Sequence, residues 1–132
     1  MINKAYRILE DYFYVNDHDI ALTASTWYCF PTWTVNVGEI VDFAANLDGY
    51  HGLNTSIHFD MTIEKDGTYV AIASSIDSDT TDVVGLLYKE KVEGASAEFR
   101  YCVHSYGADR TIGTKRLQYG YTRQVAGDWW TT

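Results

Sequence analysis

The alternation of apolar and polar residues between Asn54 and Glu64 restricts the fold of this chain more than any other sequence feature. Thr55 begins a series of every second residue, and the members of this series from Ile57 to Ile63 are all apolar. Polar residues lie between them. This period is that of a β-strand with one face in the core and the other in water. The turn residues Lys65-Asp66-Gly67 follow, and an apolar alternation then returns as far as Ile76. The sequence therefore predicts a β-hairpin here.

Further strand patterns occur on both sides of this hairpin. Residues 20–37 are rich in β-branched and aromatic residues, and the segments 83–92, 97–103 and 115–124 follow with turn residues between them. Successive strands joined by short turns indicate an antiparallel meander rather than an alternation of helices and strands.

Two segments have the apolar spacing of helices instead. Ile2, Tyr6, Leu9 and Phe13 recur at three- and four-residue steps, which predicts a helix at residues 2–14. A shorter helix is predicted at residues 39–47, with a strand as the alternative.

The predicted fold class is α+β, with one domain over residues 1–132. Its main element is a curved antiparallel sheet of about six strands, connected as a meander that could close into a barrel-like form. The N-terminal helix and one further short helix are expected to pack against this sheet. Residues 127–132 are expected to form a flexible tail.

The charge of the chain restricts its partners. Ten Lys and Arg against eighteen Asp and Glu give a formal net charge of −8. This charge repels nucleic-acid phosphates and anionic membranes, so we expect no direct nucleic-acid binding and no membrane binding. It would attract a basic protein, although the same charge can simply keep a domain soluble. The sequence has neither an apolar run long enough to span a bilayer nor a secretory signal, so we expect a cytoplasmic location.

The two cysteines, Cys29 and Cys102, have no CxxC neighbour and no metal-ligand spacing. Because cytoplasmic thiols are normally reduced, we expect both to be small buried hydrophobic residues, with a disulfide as the alternative. No metal site and no cofactor is predicted.

Polar residues on the non-core face of two predicted strands form one candidate site. The residues are His58, Asp60 and Glu64 on the first strand and Glu98, Arg100, His104 and Tyr106 on the second. A histidine beside a carboxylate can act as a general base, and arginine or tyrosine can stabilise an oxyanion. An ordinary solvent-facing sheet shows the same alternation, and the sequence does not reveal whether the two strands are neighbours.

Aromatic residues form a second candidate site. They make up 15% of the chain, and Trp27, Tyr28, Phe30 and Trp33 cluster around Pro31, which interrupts a strand. Because four large side chains are hard to bury at such a break, one or two are predicted to face a ligand or a partner. The alternative is that they fill the core of a small β-protein.

An acidic loop is the third candidate surface. Asp77, Asp79 and Asp82 offer oxygen ligands, but the loop lacks the glycine and the terminal glutamate of a calcium loop. We therefore interpret it as a solvated turn that can contact a basic partner.

Three functions agree with these features. The leading hypothesis is a non-catalytic interaction protein that presents an acidic, Tyr/Trp-rich surface to a basic protein partner, one form being an inhibitor that mimics nucleic-acid charge. The second is a domain that binds a small molecule or carbohydrate in the mouth of the curved sheet. The third is a small enzyme with His58 or His104 as general base, and Asp60 or Glu98 as its neighbouring carboxylate.

The choice among these functions depends on motifs that the sequence lacks. It contains no phosphate-binding loop, no nucleophile elbow and no HExxH helix, which favours binding over catalysis. Exposed sheet edges and the pair Trp129-Trp130 are compatible with a homo-oligomer.

Overall fold

The structure is a computed structural model that describes residues 5–49, 57–77, 82–105 and 109–127, and these residues form only strands and loops. Their strands are β1 (Ala5–Val15), β2 (Ile20–Leu22), β3 (Trp27–Cys29), β4 (Trp33–Val35), β5 (Ile40–Gly49), β6 (Ile57–Lys65), β7 (Thr68–Asp77), β8 (Asp82–Lys91), β9 (Ala97–Ser105), β10 (Arg110–Ile112) and β11 (Leu117–Gly127). The fold is therefore all-β, and the predicted α+β class is wrong. None of the described residues forms a helix that could span a bilayer.

The strands form two main antiparallel sheets. The first sheet has the order β1-β11-β5-β8, and the second has the order β3-β9-β6-β7, with β4 also paired to β9. The short strands β10 and β2 pair with each other. Strands that are distant in sequence are neighbours in both sheets, so the predicted meander is wrong. The described sheets also do not close into a barrel, so the barrel-like form of the prediction is wrong as well. The chain passes repeatedly between the two sheets, and the two strand orders correspond to a double-sheet jelly roll.

The core between the two sheets is largely aromatic. Trp33 of β4 stacks on Tyr121 of β11, with ring centroids 4.1 Å apart and planes 3° from parallel. Phe43 of β5 contacts Tyr101 of β9 with centroids 5.4 Å apart. Each pair joins one sheet to the other, and such pairs contribute about 0.5–1.5 kcal/mol beyond their buried area. Much of the aromatic content is therefore explained by packing, as the alternative interpretation held.

The predicted N-terminal helix is instead β1, which pairs with β11 from Ala5 to Val15. The register shifts between Ile8 and Glu10. A bulge of this kind offsets the two-residue alternation, so the apolar residues on its two sides fall at helix-like spacing. Pairing with β11 provides the backbone hydrogen bonds that a helix would have made internally. Residues 2–4 lie outside the described part of the chain.

The predicted short helix at residues 39–47 is also wrong, and the strand alternative is confirmed. In β5, alternate residues from Val41 to Leu47 are buried, whereas Asp42, Ala44 and Asn46 between them are exposed. Gly38 precedes the strand with a φ of 87°, which glycine adopts without steric cost. The chain therefore turns into β5 at the position where the helix was expected to begin.

The hairpin prediction is confirmed by the pairing of β6 with β7 from Ile57 to Asp77. Asp66 and Gly67 form its turn with φ values of 51° and 83°. Positive φ at both central residues is typical of a two-residue hairpin turn, for which Asp-Gly is a favoured sequence.

An ion-pair cluster joins β1, β11 and the start of β5. Arg123 Nε donates to Glu10 Oε1 at 2.9 Å, and Arg123 Nη1 donates to Glu39 Oε1 at 2.7 Å. Burial opposes the ionisation of Glu39, but hydrogen bonds from the backbone N–H of Asn36 and from Arg123 outweigh it and hold the pKa of Glu39 below its ordinary value. The charged form of Glu39 therefore stabilises this junction.

Candidate functional site

One face of β6 is buried although it points away from the core. Its residues Asp60, Thr62 and Glu64, which we call the polar row, are 4%, 0% and 6% exposed. The prediction that this face is in water is therefore wrong. Burial of polar groups is costly unless they are hydrogen-bonded or paired, so the polar row needs partners on the neighbouring strands.

The strand β9 supplies the neighbours of the polar row. The cross-strand pairs are Asp60 with His104, Thr62 with Cys102 and Glu64 with Arg100. Side chains of such pairs share a face and lie close enough to interact. The structure thus brings together Asp60, Glu64, Arg100 and His104, which the sequence had placed on two strands of unknown relation.

Glu64 and Arg100 form a two-point ion pair. Arg100 Nε donates to Glu64 Oε2 at 3.0 Å, and Arg100 Nη2 donates to Glu64 Oε1 at 3.2 Å. The Glu64 side chain is 8% exposed, whereas that of Arg100 is 42% exposed. Because a guanidinium has five N–H groups, the exposed part of Arg100 keeps donors for a ligand while its charge is balanced by Glu64.

Two aromatic residues lie on the same side of the second sheet as the polar row. Trp27 of β3 lies opposite His104 in the register, and the two rings contact with centroids 4.6 Å apart. The indole also contacts the ring of Tyr69 in β7, with centroids 5.7 Å apart. Since β9 and β6 lie between β3 and β7, these two side chains reach across the sheet toward each other.

A cleft opens beside this aromatic pair. It has a volume of about 360 Å³ and is lined by Trp27, Glu64, Gly67, Thr68, Tyr69 and Arg100. This volume lies within the range of small-molecule sites. The cleft therefore combines two aromatic rings with an ion pair at its floor. Tyr69 was not among the predicted site residues, although its position two residues after the Asp66-Gly67 turn could have indicated it.

The histidine and carboxylate of the catalytic hypothesis lie near the cleft but do not line it. His104 and Asp60 are 3% and 4% exposed. The Ser74 hydroxyl donates to Asp60 Oδ1, and the Trp27 ring covers His104. Glu98 is exposed on β9, and the backbone of His58 lies opposite Ile76. Tyr106 lies outside the described residues.

The other predicted binding residues do not join this site. Trp33 is a core residue with 6% exposure, and Tyr28 is 38% exposed and packs edge-on against Phe30. The backbone of Asp77 ends β7, and that of Asp82 begins β8. Asp79 lies outside the described residues, as do 128–132 of the predicted tail.

The cysteines are bonded to each other, contrary to the expectation of free thiols. Cys29 of β3 and Cys102 of β9 are directly opposite in the register, with Cα atoms 4.1 Å apart. The disulfide belongs to the same face as the polar row and lies beside Thr62. The sequence separation of 73 residues gave no indication of this proximity.

The first sheet also presents a distinctive outer face. Phe13, Gly120, Ala44 and Leu87 form a continuous cross-strand row through β1, β11, β5 and β8, which we call the apolar row. Phe13 is 67% exposed and Leu87 is 78% exposed. The small residues between them leave a shallow groove of about 610 Å³, which Asp11 and Asp42 also line.

Comparison with known proteins bears on the fold alone. No protein-family model matches the chain, and no curated protein matches it. The Eiger TNF of S. frugiperda is 8% identical, with a TM-score of 0.52 over 89% of this chain and 93% of that chain. This likeness supports the two-sheet fold.

Two further solved structures share less of their length with this chain. Dimeric latent PorU from Porphyromonas gingivalis is 9% identical, with a TM-score of 0.48 over 87% of this chain and 13% of that chain. A structure of the Gt strain of infectious bursal disease virus is 10% identical, with a TM-score of 0.49 over 90% of this chain and 35% of that chain.

Proposed function

We propose that this chain is a binding domain for a small, neutral, hydroxyl-rich ligand of the carbohydrate class. The observation that carries the proposal is the cleft in which Trp27 and Tyr69 adjoin the Glu64–Arg100 ion pair. The apolar C–H face of a sugar ring packs against aromatic side chains, as other apolar groups do. Sugar hydroxyls can donate to the carboxylate and accept from the guanidinium.

The charge of the cleft explains the preference for a neutral ligand. Glu64 and Arg100 balance each other, and both carboxylate oxygens already accept hydrogen bonds from the guanidinium. A strongly charged ligand would have to break this pair and leave one buried charge without a partner, which is costly. A neutral hydroxyl can add to the pair without displacing either member.

Binding of labelled protein to an array of neutral and acidic glycans tests the proposal. The informative variant is Tyr69→Ala, because Tyr69 is 53% exposed and its loss should leave the core unchanged. We expect at least about tenfold weaker binding, in line with the loss of an aromatic contact at a binding site. Tyr6→Ala is the matched control, since Tyr6 is 57% exposed and lies outside the cleft. Failure of every neutral glycan to bind, or equal losses in both variants, would refute the proposal.

A second candidate function is interaction with a basic protein through the first sheet. The apolar row supports it, because Phe13 and Leu87 are large exposed side chains at the two ends of one groove. Asp11 and Asp42 line the same groove and would attract a basic partner. This version keeps the basic protein partner of the leading sequence hypothesis, but its acidic residues are Asp11 and Asp42 rather than Asp77, Asp79 and Asp82.

A basic amphipathic peptide of alternating Lys and Leu is a suitable probe for this surface. We expect its affinity to fall as salt rises, and to fall again when Asp11→Asn and Asp42→Asn are combined. Asp19→Asn with Glu93→Gln is the control, because both residues are exposed and the pair removes the same charge elsewhere. If the two double variants weakened binding equally, the binding would depend on net charge alone, and the groove of the first sheet would not be the binding surface.

A further inference from the structure

We infer that reduction of the Cys29–Cys102 disulfide converts the outer face of the second sheet into a site for a thiophilic divalent cation such as Zn²⁺. The ligands are the two thiolates and the Glu64 carboxylate. In the described part of the chain, ligand atoms of these three residues lie within 4.8 Å of one another. Cys102 Sγ lies 3.1 Å from Glu64 Oε2.

These distances suit a tetrahedral ion. Zinc bonds of about 2.0–2.3 Å place neighbouring ligand atoms about 3.5–4 Å apart. Cys29 and Cys102 are directly opposite on adjacent strands, so rotation about their Cα–Cβ bonds can separate the sulfurs while the backbone keeps its register. Two sulfurs and one oxygen leave one position for water, which can enter through the cleft that Glu64 lines.

The charges of the reduced site also balance. Two thiolates and one carboxylate around a divalent cation leave one negative charge, and Arg100 already holds Glu64 through two hydrogen bonds. A hydrogen-bonded outer partner of this kind orients a metal ligand and supports binding.

A buried hydroxyl provides an independent indication. Thr62 lies directly opposite Cys102 and is fully buried, and its Oγ1 has no hydrogen-bond partner among the described residues. Buried polar groups normally have a partner. A water molecule on the fourth position of the metal would supply one.

The chemistry begins with a dithiol reductant, which provides two electrons and two protons. Its thiolate attacks the sulfur of Cys29, a half-buried residue on edge strand β3, and Cys102 leaves as the thiolate. The second thiol of the reductant then displaces Cys29 and becomes part of a cyclic disulfide, leaving Cys29 and Cys102 as thiols. Metal binding replaces their two protons, which are released to solvent.

The test compares oxidised protein with protein that has been reduced and then freed of reductant under nitrogen. Co²⁺ is added as the spectroscopic probe, and Zn²⁺ is added in competition. We expect one Co²⁺ per reduced chain with thiolate-to-cobalt charge-transfer absorption, and no such absorption from the oxidised chain. Cobalt binding should release two protons per chain near neutral pH, and Zn²⁺ should then displace the cobalt without further proton release.

Matched carboxylate variants test the ligand assignment. Glu64→Gln should weaken cobalt binding at least about tenfold, whereas Asp60→Asn should change it less than about threefold. Asp60 is a suitable control because it is a buried carboxylate on the same face of β6 and lies outside the three-ligand group. Equal binding by the two variants would overturn the proposal. Loss of the near-ultraviolet circular dichroism on reduction would also overturn it, because an unfolded chain would not hold the ligands together.

Discussion

Replacement of Gly120 by alanine should destabilise the protein through one specific backbone contact. A Cβ atom at this position would lie 2.8 Å from the carbonyl oxygen of Tyr12 and 3.3 Å from Cδ2 of Phe13. The first distance is too short for a carbon–oxygen contact, and its partner is backbone, so β1 must move relative to β11. Such overpacking costs about 1–3 kcal/mol. For a chain of 132 residues, this loss corresponds to a fall in the melting temperature of about 4–10 °C.

Gly85→Ala is the matched control for this change. Gly85 is also a strand glycine in the first sheet, but its added Cβ would meet only the Ala45 carbonyl oxygen, at 3.9 Å. Alanine at an unstrained strand position is expected to be neutral or to stabilise by up to about 1 kcal/mol. Urea denaturation followed by tryptophan fluorescence measures both free energies of unfolding. A Gly120→Ala variant as stable as Gly85→Ala would refute the register that places Phe13 over Gly120.

Two further predictions concern the ion-pair cluster and the core. Because the pKa of Glu39 is lowered in the folded state, its contribution to stability is present above the ordinary glutamate pKa and is lost as the pH falls through the folded-state pKa. Glu39→Gln should therefore lower the free energy of unfolding by about 1–3 kcal/mol at pH 7. It should also reduce the loss of this free energy as the pH falls, as measured by urea titrations from neutral pH to pH 3. Trp33→Ala should lower the same free energy by about 3–5 kcal/mol, because it removes a buried ring stacked on Tyr121. Tyr28→Ala should change it much less, since Tyr28 is 38% exposed, and equal losses would contradict the assignment of Trp33 to the core.

The parts of the fold that the sequence predicted correctly depend on local signals. The hairpin of β6 and β7 combines a strict two-residue period with an Asp-Gly turn, and both signals lie within a few residues of each other. The strand β1 could not be recognised in this way. Its bulge between Ile8 and Glu10 offsets the alternation, and its partner β11 lies at the other end of the chain.

The candidate site was predicted only in part, for a related reason. The sequence placed Asp60 and Glu64 on one strand and Arg100 and His104 on another, but the pairing of β6 with β9 is a property of the whole topology. The same applies to Trp27, whose role depends on reaching Tyr69 from the opposite edge of the sheet. Alternating polar residues therefore indicated a solvent-exposed face, whereas Asp60, Thr62 and Glu64 on that face are buried.

The most direct test of the proposed function is a titration of isotopically labelled protein with a panel of methyl glycosides, followed by amide and indole N–H chemical shifts. We expect at least one neutral glycoside to shift the amide signals of Gly67, Thr68 and Tyr69 and the indole signal of Trp27, all of which belong to the cleft. An absence of shifts across the panel, or shifts confined to the apolar row around Leu87, would contradict it.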